Sequence, residues 1–307
     1  MLDLHGRKIN YLRLSVTEAC NMKCRYCVPS RPGKVHTDTL TAEQIAQIVR
    51  VMASIGIDKV RLTGGEPLLR PDIVPICSAL SGLVKELCIT TNGTLLGDLA
   101  VSLKSAGVRG VNISLDTLSP EKYRVITGTD LHGEAMRGID SALSAGFESV
   151  KINAVLMRGV NDGEIPGLVG LAYDLPVDVR FIEAMPANPD FSRKVFMPCS
   201  EVLKYFPQAK HSGFEGTAEI YTLPGAKGRL GLISPVSCRF CSSCNRLRLT
   251  SDGKLKPCLY TSSETRINAM NESSILEAVS EALRHKPQSR PETFETSEIR
   301  TMTQTGG

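Results

Sequence analysis

YLRLSVTEACNMKCRYC, residues 11–27, joins an apolar, strand-like run to three cysteines spaced C-x3-C-x2-C. The run has the pattern of a buried strand, and Cys20, Cys24 and Cys27 stand in the loop where it ends. Five more runs of the same kind follow: KVRLTG, ELCITTN, VNISLD, VKINAVL and VDVRFIEAM. Between them lie segments of helical periodicity: TAEQIAQIVRVMASIG, RPDIVPICSAL, LGDLAVSLKSAG, GEAMRGIDSALSAG and EIPGLVGLAYDL. Several of these close on a glycine suited to a helix C-terminus. Near-continuous apolar strands joined by helices predict a parallel sheet covered by helices. Six such units are too few to close the eight-stranded barrel, so the expected fold is α/β, a partial (β/α)6 barrel. Chemistry in such a fold belongs at the C-terminal ends of the strands, where the cysteines, TGGEP, TTNG, SLDT and EAMP all fall.

The composition fits an enzyme core of this kind. The 307 residues are 42% hydrophobic and 22% charged, enough to bury a substantial interior. No apolar run reaches the roughly 20 residues of a membrane span, and residues 1–10 lack the order of a signal peptide, so the chain is expected to be cytoplasmic. There thiols stay reduced, and ten cysteines in tight local groups argue for metal ligation over disulfides. A net charge of +4, aromatics at 5% and no Trp argue against nucleic-acid or membrane binding. After about Asn188 the pattern shifts to Pro, Gly and short strand-like pieces, predicting a barrel over residues 1–187 and a small C-terminal layer over 188–307. The polar tail from about Lys286 is expected to be mobile.

A structural zinc normally takes four protein ligands, and the nearest candidate fourth beside Cys20, Cys24 and Cys27 is His36. Three thiolates instead suit a 4Fe-4S cluster with one iron open to another ligand. This spacing after a first strand, with Tyr26 between the last two cysteines and GGEP after the second strand, resembles the radical S-adenosylmethionine superfamily. The resemblance implies that the open iron chelates the methionine moiety of adenosylmethionine and that the reduced cluster cleaves it to a 5′-deoxyadenosyl radical. Tyr26, Gly65, Ser114 and Met185 match positions that contact adenosylmethionine there, and Arg180 matches an arginine near it. From the residues alone, Gly64 and Gly65 allow close backbone approach to a ligand, with a plain turn as the alternative.

Cys241, Cys244 and Cys258 form a second group, C-x2-C-x13-C, again of three. Two incomplete iron-sulfur sites in one barrel chain, with GRKINYLRLSVTEACN, VRLTGGEPLLR, VKINAVLMRGVND, VRFIEAMP and FCSSCNRLRLTSDGKLKPCL, resemble the GTP 3′,8-cyclases of molybdenum cofactor biosynthesis over nearly the whole chain. That resemblance implies a second 4Fe-4S cluster whose open iron binds guanine, with GTP spanning the barrel between the clusters. No phosphate-cradling glycine loop is present, so a triphosphate needs side-chain cations. Arg13, Arg61, Lys151, Arg246 and Arg248 match GTP-contacting positions, as does Thr90. Charges such as Arg13, Arg61 and Lys151 within buried-looking strands suit a cavity ligand, the alternative being internal ion pairs. The resemblance also implies that the terminal Gly306 and Gly307 reach the active site and act in turnover with Arg246 and Arg248.

Some features depart from the family pattern. Glu18 stands where Asp is usual and Thr305 where Ile is usual. Cys238 makes the local run C-x2-C-x2-C and offers a fourth thiolate that would close the second cluster. Cys77, Cys88 and Cys199 are scattered and read as packing residues. The implied partners are GTP, a low-potential electron donor and a downstream cyclic pyranopterin monophosphate synthase, with homodimerisation left open.

Overall fold

The structure, a computed structural model, describes residues 1–27, 39–186, 188–238, 240–290, 300 and 302–305. Strands and helices alternate through the first part as β1 (Tyr11–Ser15), α1 (Ala42–Ser54), β2 (Lys59–Thr63), α2 (Ile73–Ser81), β3 (Glu86–Thr91), α3 (Leu96–Ser105), β4 (Gly110–Ser114), α4 (Pro120–Thr127), α5 (His132–Ser144), β5 (Ser149–Leu156), α6 (Ile165–Asp174) and β6 (Asp178–Glu183). The remainder forms α7 (Pro189–Val195), β7 (Lys210–Glu215), β8 (Ala218–Thr222), β9 (Arg229–Ile233), β10 (Arg246–Leu249), β11 (Lys254–Lys256), β12 (Thr265–Arg266), α8 (Glu272–Arg284) and α9 (Met302–Thr305).

Local chemistry sets these elements. Helix α1 begins at a capping box in which Thr41 accepts from the Gln44 amide and the Gln44 side chain accepts from the Thr41 amide. Its Ile45, Ile48, Val49 and Met52 recur at helical spacing and are all buried. Helix α4, absent from the periodicity reading, starts on a Ser119 cap with Pro120 in its first turn and ends on Gly128 in the left-handed conformation.

Strands β1 to β6 lie side by side in sequence order, all parallel. The C-terminal region extends the same sheet at both edges. Strand β10 pairs parallel with β1, then β11 and β12 continue antiparallel. At the other edge β9 pairs parallel with β6, then β8 and β7 follow antiparallel. The expected partial barrel is therefore present, widened to eight neighbouring parallel strands and, among the described residues, not closed by hydrogen bonds.

Alternation along the strands divides the sheet into two faces. Leu12, Leu14, Val60, Leu62, Ile89, Val111, Ile113, Ile152, Val179 and Phe181 are buried in one continuous core. Each such side chain contributes roughly 1.5–3 kcal/mol over an exposed one. The intervening positions carry Arg13, Arg61, Thr63, Thr90, Asn112, Ser114, Lys151, Asn153 and Arg180. A packed barrel interior would carry branched aliphatics there. This inner face is polar and positively charged instead.

Lys286 corrects the expectation of a mobile tail starting near that residue. It is only 3% exposed, and Arg7 donates to the carbonyls of Pro287 and Gln288 just beyond it. Among the described residues, no helix is long and apolar enough to cross a membrane.

Candidate active site

Cys20, Cys24 and Cys27 line one cavity of about 200 Å³ at the C-terminal ends of the parallel strands. The same cavity collects Tyr26, Gly65, Ser114 and Met185, four of the five positions expected at adenosylmethionine, and Thr90 from the expected GTP set. Residues from β2 through β6 share it, which requires the sheet to curl around it. Met302 and Thr303 of α9 complete the lining, so the end of the described chain enters the site.

Three thiolates lining one cavity are a donor set that fits a cluster. Among the described residues, no three His, Cys, Asp or Glu side chains converge on one metal position. A 4Fe-4S cluster does not need such convergence, because each thiolate binds a different iron. Burial, with Cys20 and Asp116 adding to it, pushes the Cys27 thiol up to about 12, and burial raises Cys24 and Cys20 as well. Such thiols ionise only beside a strong positive charge, which bound iron supplies. Asn153, which the sequence reading missed, has a buried Oδ1 without a hydrogen-bond partner, and Asn153 lines this cavity. An unmet buried acceptor at that position fits a bound polar cofactor.

The two glycines after β2 line the cavity and also pack closely against the chain itself. A Cβ on Gly64 would stand 2.3 Å from the Thr17 carbonyl oxygen, and one on Gly65 would stand 2.2 Å from that of Ala19. The close approach is thus to the loop leading into the cysteines. The Gly65 and Glu66 amides donate to the Thr17 and Ala19 carbonyls, both at 2.8 Å, which locks that loop onto the end of β2. Glu66 is 1% exposed and accepts from the Asn92 amide and Thr91 Oγ1, each at 2.7 Å. Burial outweighs these bonds and pushes its carboxyl up to about 7. Asp116, likewise raised by burial to about 6, accepts from the Tyr26 hydroxyl at 2.8 Å and the Val155 amide at 2.8 Å. Both acids face the cavity, and GGEP and SLDT were their only signals in the sequence.

Below the cavity the strand registers assemble a row of cations. Arg13 lies opposite Arg248 on one side and Arg61 on the other, and Tyr11 lies opposite Arg246. Burial and then the charges of Arg248, Arg61 and Arg246 bring Arg13 down to about 9, against the opposing pull of Tyr11. Arg248 falls to about 10 by burial and by Arg246. Burial raises the Tyr11 phenol, but Arg61, Arg13, Arg246 and Lys59 outweigh it and hold the group at about 8. Arg61 donates to Tyr11 Oη at 2.8 Å and lies 3.5 Å from Thr90 Oγ1. Such a crowd of positive charge attracts a polyanion.

Lys151 and Arg180 stand farther around the sheet. Both pair with Glu215 at the end of β7, Arg180 at 2.9 Å, and Arg229 joins Glu215 at 2.7 Å. Arg180 also lies 3.6 Å from Asp178, and it is not among the residues lining the cavity with the first cysteines.

The second cysteine group sits at the opposite end of the strands. Cys241 and Cys244 precede β10, whose Arg246 pairs with Tyr11 at the start of β1, whereas Cys20 follows the end of β1. Cys258 follows β11, which pairs with β10 through Arg248 and Lys256. Burial raises the Cys244 thiol, but Arg246 and Lys286 outweigh it and hold the group at about 7, suited to a thiolate ligand. Cys241, Cys244 and Cys258 are half-buried, while Cys238 is exposed. Cys77, Cys88 and Cys199 are buried in the fold. Arg248 reaches the tail, donating to the Thr305 carbonyl at 3.1 Å. His36, Gly306 and Gly307 lie outside the described residues.

Residues 14–172 match the radical SAM superfamily and residues 177–296 match the molybdenum cofactor synthesis C-terminal family. A GTP 3′,8-cyclase of Peptoclostridium acidaminophilum is 46% identical over 274 residues, 86% of this chain and 84% of the relative. The chain belongs to the GTP 3′,8-cyclase family. A second member, from Alkaliphilus metalliredigens, is 42% identical over 300 residues, 94% of this chain and 93% of its own. Among solved structures, Streptococcus suis SuiB bound to its precursor peptide SuiA superposes with a TM-score of 0.65 at 17% identity, over 83% of this chain and 60% of that longer one. That likeness concerns the fold alone.

Proposed function

We propose that the chain is a radical S-adenosylmethionine lyase that converts GTP to (8S)-3′,8-cyclo-7,8-dihydroguanosine 5′-triphosphate, the first step of molybdenum cofactor biosynthesis. One observation supports this reading above the rest: two three-cysteine groups at opposite ends of the paired strands β1 and β10, with Arg13, Arg61, Arg246 and Arg248 between them. A nucleotide triphosphate held at both ends fits that arrangement.

Cys20, Cys24 and Cys27 hold the first 4Fe-4S cluster in this reading, and Cys241, Cys244 and Cys258 the second. Tyr26, Gly65, Ser114, Arg180 and Met185 bind adenosylmethionine. When bound, these groups supply the radical that removes a hydrogen atom from the ribose 3′ carbon, and an open iron at the second cluster for the guanine ring. The protein's own contribution is geometric and electrostatic. Arg13, Arg61, Thr90 and Lys151 grip GTP, and Arg246 and Arg248 contact it beside the second cluster. Fixing both ends of one nucleotide brings the 3′ carbon and carbon 8 within reach of each other and removes the cost of finding that conformation. The α9 segment closes the cavity against water, and Gly306 and Gly307 act in turnover with Arg246 and Arg248.

The barrel is assigned to residues 1–187 and the region completing the substrate site to 188–307. The product passes to a cyclic pyranopterin monophosphate synthase, a low-potential donor delivers the electron, and homodimerisation is left open. A cytoplasmic setting, where thiols stay reduced, accords with two thiolate-held clusters.

The reading is tested by anaerobic incubation of the reconstituted chain with adenosylmethionine, a strong reductant and GTP. Mass spectrometry is expected to find 5′-deoxyadenosine and a cyclised nucleotide that depends on GTP. 5′-Deoxyadenosine without that nucleotide would leave the first site intact and remove GTP as the substrate.

A further inference from the structure

Lys286 follows α8, and its ammonium is enclosed at the second cysteine group. It donates to the carbonyls of Arg246 at 2.7 Å and Pro257 at 2.8 Å, and lies 3.7 Å from Cys244 Sγ. These contacts use all three of its donors. They also join the two halves of the motif, since Arg246 stands two residues after Cys244 and Pro257 immediately before Cys258. Among the described residues no carboxylate forms an ion pair with Lys286, although it is 3% exposed. A buried ammonium without a counter-charge is costly. Burial, with Arg7 and Arg246, disfavours the charged ammonium, and the Cys244 and Cys258 sulfurs favour it once ionised.

Arg7 makes the contrast. It donates to the carbonyls of Cys241 at 2.7 Å and Pro287 at 2.8 Å, fixing the same region from the N-terminal side. Its charge is matched by Asp3 at 2.6 Å. Among the described residues, the groups that can match Lys286 are the sulfurs of Cys244 and Cys258 once ionised.

Resting on the reading of Cys241, Cys244 and Cys258 as iron ligands, we propose that Lys286 is a positioning residue of the second iron-sulfur site. Its ammonium fastens the Cys244 and Cys258 segments to each other, donates to the Cys244 sulfur, and sets a fixed positive charge beside the cluster. Positive charge and hydrogen bonds at the ligand sulfurs favour the reduced, more negative state. A neutral side chain there therefore lowers the second cluster's potential and loosens its iron.

The test uses the full chain, reconstituted anaerobically, as wild type, Lys286→Met and Lys286→Gln. Iron per chain, the rate of iron loss to a chelator, and an electron paramagnetic resonance redox titration of both clusters are the readouts. In Lys286→Met the second cluster is expected to lose iron roughly 10–100-fold faster, as when outer contacts of a metal ligand are removed. Its reduction shifts to lower potential while the first cluster stays unchanged. Lys286→Gln, which keeps a donor without the charge, retains more iron yet shows the same downward shift. If Lys286→Met does not fold, the shift in Lys286→Gln decides, with the first cluster's signal as the folding control. Wild-type potential and chelator rate at the second cluster in the folded variants would overturn the proposal. A wild-type chain that takes up only the first cluster would instead overturn the reading beneath it.

Discussion

Arg248 donates a hydrogen bond to the main-chain carbonyl of Thr305 at 3.1 Å, fastening the last described residues to the strand that follows Cys241 and Cys244. The same residue lies opposite Arg13 in the strand register. Tail and cation row are thus one assembly. Substituting Arg248→Ala is expected to reduce nucleotide cyclisation by about 10²-fold, the cost of misplacing a bound substrate by roughly an ångström. Adenosylmethionine cleavage in the absence of cyclisation should persist, because Cys20, Cys24 and Cys27 are untouched. Deleting Gly306 and Gly307 should give the same uncoupled pattern with GTP still bound. Full cyclisation in either variant, measured by mass spectrometry, would remove the tail from the mechanism.

The two cysteine groups should separate cleanly. Replacing Cys20, Cys24 and Cys27 by Ser, or Cys241, Cys244 and Cys258 by Ser, is expected to halve iron from about eight to about four per chain. Only the first set should abolish 5′-deoxyadenosine formation. Cys238→Ser should retain about eight irons, since Cys241, Cys244 and Cys258 supply the three thiolates of the proposed second site. Loss of the second cluster in Cys238→Ser would make it a fourth ligand and close the iron proposed for guanine.

Glu215 occupies Lys151 and Arg180, two cations of the proposed site. A triphosphate that engages Lys151 must displace this carboxylate, so Glu215→Gln is expected to tighten GTP binding several-fold and Lys151→Gln to weaken it, by calorimetry on the reconstituted chain. The pair also predicts a pH dependence. Burial raises the Glu215 carboxyl, but Lys151, Arg180 and Arg229 outweigh it and hold the group at about 2, below its ordinary 4.5. Because the folded value is depressed, its stabilisation is present above pH 4.5 and is lost as pH falls from 4.5 towards about 2. Acid unfolding of Glu215→Gln should be flatter than wild type through that window, and identical curves would mean the ion pair is not formed in solution.

Gly65→Ala forces a Cβ to within 2.2 Å of the Ala19 carbonyl oxygen, and backbone cannot rotate away as a side chain can. The expected cost is about 3 kcal/mol, at the upper end of overpacking. The thermal midpoint of the metal-free chain should fall, and first-cluster iron should fall with it. Gly82→Ala, where nothing lies within 4 Å of the added carbon, is the control.

The barrel strands were legible because buried parallel strands carry near-continuous apolar runs, and the polar inner face was legible because Arg13, Arg61 and Lys151 interrupt those runs. Strand β10 was not, because its pairing with β1 joins residues more than two hundred positions apart and leaves no local pattern. Helix α4 had signals in Ser119, Pro120 and Gly128, but too few apolar positions for a clear period. Lys286 sits in a polar stretch, where a lysine looks solvated until the fold encloses it. Glu18 and Thr305, two of the family departures, prove to be local to each other: Gln304 beside Thr305 donates to Glu18 Oε2 at 3.3 Å.

The central claim is hydrogen removal from the ribose 3′ carbon of GTP by a radical from adenosylmethionine. It is tested most directly with GTP deuterated at that position, incubated anaerobically with the reconstituted chain, adenosylmethionine and reductant. Deuterium in 5′-deoxyadenosine, together with a cyclised nucleotide lacking it at the 3′ position, is the expected result. 5′-Deoxyadenosine free of deuterium beside unchanged GTP would contradict the account.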